Sequence, residues 1–162
     1  MSVAMPLRTL SVRAFVENPI FLSSLTSFLT AQLIKTVIML LKSRKKRAKE
    51  VIETLVWRTG GMPSSHVALV SSMAASAALV EGIGSNLFQI SFWFALVVIR
   101  DALGVRRSSG LQARVLNVLG KQVSEQLDVD FHPLKEVHGH TPLEAAVGGL
   151  LGLFIAIAFA IL

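Results

Sequence analysis

Four apolar stretches constrain what this chain can become: about Ile20 to Leu41, Pro63 to Val80, Leu87 to Ile99 and Thr141 to Leu162. A helix that crosses a bilayer needs roughly 20 mainly apolar residues, and a chain of 162 residues carrying several such runs has little left from which to build a soluble core. The expectation is an all-α integral membrane bundle of about four transmembrane helices plus a cytoplasmic amphipathic helix. Composition agrees, with 52% hydrophobic residues, 16% charged residues and a mean hydropathy of +0.63. Cysteine is absent, which excludes disulfides and thiolate chemistry. Residues 1–17 carry Arg8 and Arg13, but Glu17, Asn18 and Pro19 interrupt the apolar stretch that follows. That pattern reads as an interfacial or loose segment and not as a removable signal peptide. Residues 18–162 show no internal repeat or low-complexity linker and read as one membrane-embedded domain.

The stretches differ in character. The first carries Ser23, Ser24, Thr26, Ser27, Thr30, Gln32 and Lys35, so one of its faces is expected to meet other helices or line a polar site. Small residues from Ser71 to Ala78 let the second approach its neighbours closely, and the short turn Glu81 to Asn86 makes a hairpin of the second and third. Between them, Gly148 and Gly152 give the fourth a G-x-x-x-G face. Leu111, Val115, Val118, Leu119 and Leu127 recur near helical spacing, which predicts an amphipathic helix on the membrane surface or over the bundle mouth, ended by the segment Asp128 to Pro133.

The net charge of +6 is clustered. Seven Lys and Arg residues lie between Lys42 and Arg58 and six between Arg100 and Lys135, against two before the first span. That is a juxtamembrane pattern that attracts anionic lipid headgroups, and no nucleic-acid-binding motif accompanies it. The positive-inside rule puts both basic loops in the cytoplasm. The start of the second span, the end of the third and the start of the fourth then share the cytoplasmic face of a membrane, expected to be the cell membrane.

Two of those ends carry reactive groups. Gly60-Gly61-Met62-Pro63-Ser64-Ser65-His66 opens the second span. With Pro63 at the first helical position, the amides of Ser64, Ser65 and His66 would lack intrahelical partners and suit an anion. The plainer alternative is that Ser64 and Ser65 cap the helix and His66 is interfacial. Lys135 to Glu144 opens the fourth span, with His140 and Glu144 spaced i, i+4, where a carboxylate can orient an imidazole. Thr141-Pro142-Leu143-Glu144 equally fits a capping box, in which Glu144 turns back to an amide. His132, His138 and His140, with Asp130 or Glu136, could instead hold zinc, although the spacing matches no zinc signature. The cations near these ends are Arg58, Arg100, Arg106, Arg107 and Lys135, and Asp101 is placed to pair with one of the arginines.

Together, Gly60 to His66, Asp101-Ala102-Leu103-Gly104-Val105-Arg106-Arg107 and Gly139-His140-Thr141-Pro142-Leu143-Glu144 resemble the divergent branch of the type 2 phosphatidic acid phosphatases, which is related to acid phosphatases and vanadium-dependent haloperoxidases. The similarity runs from about Asn18 to the C-terminus. Pro63-Ser64-Ser65-His66 looks like that superfamily's Pro-Ser-Gly-His block, and His140-x3-Glu144 looks like the end of its Ser-Arg-x5-His-x3-Asp block. Leu134 stands where the block has arginine, with Lys135 one residue later. Arg58 lacks the following proline of the Lys-x6-Arg-Pro block, and Lys49 lies two residues too far upstream for its lysine.

The resemblance implies that His140 is the nucleophile, forming a phosphohistidine, that Glu144 orients it, and that His66 is the acid and then the base. Arg58, Ser64, Ser65, Arg106, Arg107 and Lys135 would bind substrate, with Asp101 beside the arginines. The expected function is a metal-independent phosphatase, without cofactor, acting on a phosphomonoester or pyrophosphate headgroup of a phosphorylated lipid. Two rivals stay open: a non-catalytic membrane protein that binds or translocates such a lipid, and a metal-dependent hydrolase. A homo-oligomer also stays open.

Overall fold

A computed structural model describes residues 12–42, 61–136 and 139–162. The basic run from Arg44 to Arg58, Gly60 and His138 lie outside the described residues. The described chain is all helical: α1 (Val12–Val16), α2 (Pro19–Lys42), α3 (Ser65–Glu81), α4 (Asn86–Arg100), a π-helical turn (Asp101–Val105), α5 (Arg106–Leu127) and α6 (Pro142–Ile161). Side chains set several helix starts. Asn18 Oδ1 accepts from the amides of Ile20 and Phe21 at 2.9 and 3.3 Å, and Ser85 Oγ accepts from Phe88 N at 3.1 Å.

The expected count of four spans is not met in full. Pro19–Leu41, Asn86–Leu127 and Pro142–Ile161 are long and apolar enough to cross a membrane, whereas α3 has 17 residues. Its shortness has a local cause. Ser64 is extended (φ −73°, ψ 113°), so the helix starts at Ser65, two residues later than the proline-led start expected, and Gly82 at φ 86° closes the other end.

The burial pattern inverts that of a soluble protein. Small and polar side chains are inside, among them Ser23, Ser27, Ala31, Gln32 and Lys35 of α2 and Ala68, Ser72 and Ser76 of α3. Large apolar ones such as Leu29, Leu33, Ile90, Trp93 and Phe154 face outward. Such a surface is stable against lipid, and close packing of small residues is what holds helices together there. Helix α3 lies centrally and packs on α2, α4 and α6. The expected G-x-x-x-G face is the α6 side of that packing: a side chain at Gly148 would meet the backbone of Ser64, and one at Gly152 the backbone of Ala68 and Ser72.

The amphipathic helix expected on the membrane surface or over the mouth is instead the direct continuation of α4. Arg100 (φ −62°, ψ −42°) and Arg106 (φ −64°, ψ −38°), on either side of the π-turn, both keep helical backbone, so nothing breaks the run. Helix α5 has no buried residue. It ends as expected before Asp128, which turns left-handed at φ 52°. From there residues 128–136 run back along α5 as a strap. Ser124 Oγ donates to Val129 O at 2.6 Å, and the ring of Phe131 lies on Gly120. Asn117 donates to Leu134 O at 2.9 Å and accepts from Leu134 N at 2.8 Å. Beyond the strap, Gly139 rests against the backbone of Arg107.

Candidate functional site

The strap delivers His140 to the junction of the π-turn with α3 and α6. Its amide donates to Ala102 O at 3.1 Å, and its residue is only 4% exposed. Glu144 Oε2 lies 3.2 Å from His140 Nδ1 and also accepts from Thr141 N at 3.0 Å, while Thr141 Oγ1 accepts from Glu144 N at 3.3 Å. The two readings of Glu144 are therefore both true. One carboxylate oxygen has two lone pairs, so it closes the capping box and holds the imidazole at once. A carboxylate can only accept, so Nδ1 carries the proton and Nε2 keeps a free lone pair.

The two mouths are joined by backbone. Ser64 N donates to Glu144 O at 3.0 Å, so that amide is spent on the fold and not free for an anion as expected. Ser65, His66 and Val67 form the first helical positions, where amides have no intrahelical acceptor. Ser64 Oγ is buried without a partner among the described residues, and Ser65 Oγ accepts from Lys35 Nζ at 3.3 Å. His66 is exposed, with its ring edge-on to Phe28 at 6.3 Å between centroids. Arg106 Nε donates to Asp101 Oδ2 at 2.6 Å, which answers which arginine Asp101 pairs with.

These groups lie within electrostatic reach of one another. The charges of Lys35, Arg106 and Glu144 act on His140, and those of Arg106, Lys35, His140 and Asp101 act on His66. Among the expected substrate-binding residues, Ser64 is tied by its amide to Glu144, Ser65 by its hydroxyl to Lys35, and the Asp101–Arg106 pair flanks the turn whose Ala102 carbonyl seats the His140 amide. Arg107 is exposed and contributes its backbone to the seat of Gly139. Lys135 sits elsewhere. It follows Leu134, which Asn117 holds on α5, about 16 Å from Arg106 at 1.5 Å per residue. Arg58 lies outside the described residues. Among those residues, no group of three His, Cys, Asp or Glu could hold a metal, and His138 is not described.

Lys35 belongs with these groups, although it is not among the cations at the two span ends. It is 6% exposed, reaches a serine 30 positions along the chain, and acts on both histidines. Its signal is present in the sequence: a lysine inside a span is expected to face the bundle interior or a cavity.

Burial pushes the His140 imidazole below its ordinary 6.5. The hydrogen bond and charge of Glu144 oppose this, while Lys35 and Arg106 act with it. His140 is then neutral at neutral pH. An activity that needs neutral His140 has its acid limb below pH 6.5. In Glu144→Gln, which keeps an acceptor but loses the charge that raises the imidazole, the limb is expected to move lower still. Titration of the His140 ring by NMR checks this, and an upward shift would contradict it.

A family model described as the Divergent PAP2 family matches residues 16–155. The chain is 40% identical over 150 residues to the uncharacterized membrane protein YuiD of Bacillus subtilis (strain 168), covering 86% of this chain and 92% of that protein. No solved structure matches. With three helices able to cross a membrane and a family match over most of its length, the chain is a membrane protein that belongs to the divergent PAP2 family.

Proposed function

We propose that this protein is a lipid phosphatase that removes a phosphomonoester or pyrophosphate headgroup through a phosphohistidine, on the cytoplasmic face of the cell membrane. The observation that carries the reading is the buried His140–Glu144 pair, in which Glu144 engages Nδ1 and leaves Nε2 unused, with the cations Lys35 and Arg106 in electrostatic reach of the ring. Membership of a phosphatase-related family supports it.

In the first step His140 Nε2 attacks phosphorus and the P–O bond to the lipid breaks. Glu144 stabilises the imidazolium that forms, and His66 gives a proton to the leaving oxygen. In the second step His66 takes a proton from water, whose oxygen attacks phosphorus as the P–N bond breaks, and phosphate leaves. Lys35, Arg106 and the first-turn amides of α3 would stabilise the equatorial oxygens, where the charge of the transition state lies. Side chains supply nucleophile, acid and cations, so the proposed reaction runs without a metal. The family's clamp is rebuilt from new positions: Arg106 takes the part of the arginine replaced by Leu134, and Lys35 supplies the lysine that Lys49 is too far upstream to provide.

The test is phosphate release from purified protein across a panel of phospholipid and isoprenoid phosphates, with vanadate as inhibitor. Lys35→Met is expected to lower kcat/KM by about 10²-fold or more, the usual cost of removing one preorganised transition-state contact. Tight headgroup binding with no turnover on any substrate would instead make the protein a binder or translocator. Loss of activity on chelation, with metal found in the purified protein, would make it a metal-dependent hydrolase.

A further inference from the structure

Asp101 and Arg106 are five residues apart, a separation that an α-helix splays by about 140° around its axis. Their 2.6 Å ion pair exists because Asp101–Val105 is a π-helical turn, whose wider winding brings i and i+5 onto one side. The same turn offers the Ala102 carbonyl to the His140 amide, so one irregular turn seats both the histidine and the arginine. The bond to Asp101 uses the Nε edge of the guanidinium. A guanidinium has five N–H groups in a rigid fork, so the Nη hydrogens remain to engage a second anion. Arg106 is itself 42% exposed in its side chain, and without an anchor it would be free to turn into water. Asp101 cannot be the group that touches phosphate, since two anions repel.

We propose that Asp101 is a positioning residue: through the π-turn that also seats His140 it holds the Arg106 guanidinium at the candidate site, where the ligand is a tetrahedral oxyanion of the phosphate class. This rests on the phosphate site proposed above and assigns its arginine a fixed support.

The experiment measures binding of orthovanadate and inorganic phosphate to the full-length protein in detergent. It compares wild type with Asp101→Asn, Arg106→Gln and the double variant, and records thermal unfolding of each. Asp101→Asn is expected to weaken anion binding by about tenfold with unfolding unchanged, and to add nothing once Arg106 is Gln, as coupled neighbours do. Asp101→Glu, which keeps the carboxylate, should recover part of the affinity and serves if the asparagine variant does not fold. Unchanged binding in Asp101→Asn, or an effect that persists in full in the Arg106→Gln background, overturns the proposal. Phosphate release from lipid phosphates on the same samples separates the two claims. Coupled anion binding without turnover supports the positioning role and overturns hydrolysis. Turnover with uncoupled binding overturns the positioning role and leaves hydrolysis standing. A wild type that binds neither anion overturns both.

Discussion

Replacing His140 with alanine is expected to lower phosphate release from lipid phosphates by about 10³-fold or more, since loss of a nucleophile removes the covalent route altogether. The fold should survive. The ring of His140 bonds Glu144, but the capping box of α6 is closed separately by Thr141, and the His140 amide keeps its bond to Ala102. His66→Ala should also abolish release in steady state, because the leaving oxygen then lacks its acid. The two differ in trapping. Acid-stable lipid phosphate should accumulate unreacted in both, whereas a substrate with a good leaving group should still label His140 in His66→Ala and never in His140→Ala. Retained release in either variant, on a protein that unfolds like wild type, removes the mechanism.

The second large effect is structural. A leucine at Gly148 would drive its Cβ into the carbonyl and amide of Ser64, which are backbone and cannot rotate away. Ser64 is also tied to Glu144 O, so the strain falls on the joint between the two mouths. Overpacking of this kind costs about 3 kcal/mol or more, and Gly148→Leu is expected to unfold early and to lose vanadate binding. Gly149→Ala is the control one residue away. Its new methyl would lie 3.6 Å from Ser71 Oγ and 3.8 Å from Val67 Cγ1, which is ordinary contact. Melting in detergent should separate the two variants clearly, and equal stability would refute the close approach of α3 and α6.

Much of this was legible in the sequence because it depends on local pattern. The polar residues of α2 predicted an inward face, Gly148 and Gly152 predicted a close helix contact, and Thr141 to Glu144 predicted a cap. The rest depended on what the chain brings together from afar. The reach of Lys35 to Ser65 spans 30 positions. The π-turn has no signature in a 3.6-residue pattern, so the i, i+5 partner of Asp101 stayed open among several arginines. The hydrophobic periodicity of α5 carries no direction in space: it fits a helix on the membrane surface or over the bundle mouth as well as the extension of α4 that is found. Capping the helix and holding the His140 ring look like alternatives for Glu144 in the sequence, and one oxygen with two acceptor sites does both.

Helix α5 buries none of its residues, yet it acts as a ruler. The strap is pinned to it at Ser124, Gly120 and Asn117 before Gly139 meets Arg107, so the distance from these pins to the π-turn decides where His140 lands. One residue added between Arg107 and Asn117 would carry every pin 1.5 Å outward and turn it by about 100°. His140 would then be drawn off Ala102 although no residue of the candidate site had changed. What α5 shows to its surroundings leaves the position of His140 untouched, whereas a change in its length moves it.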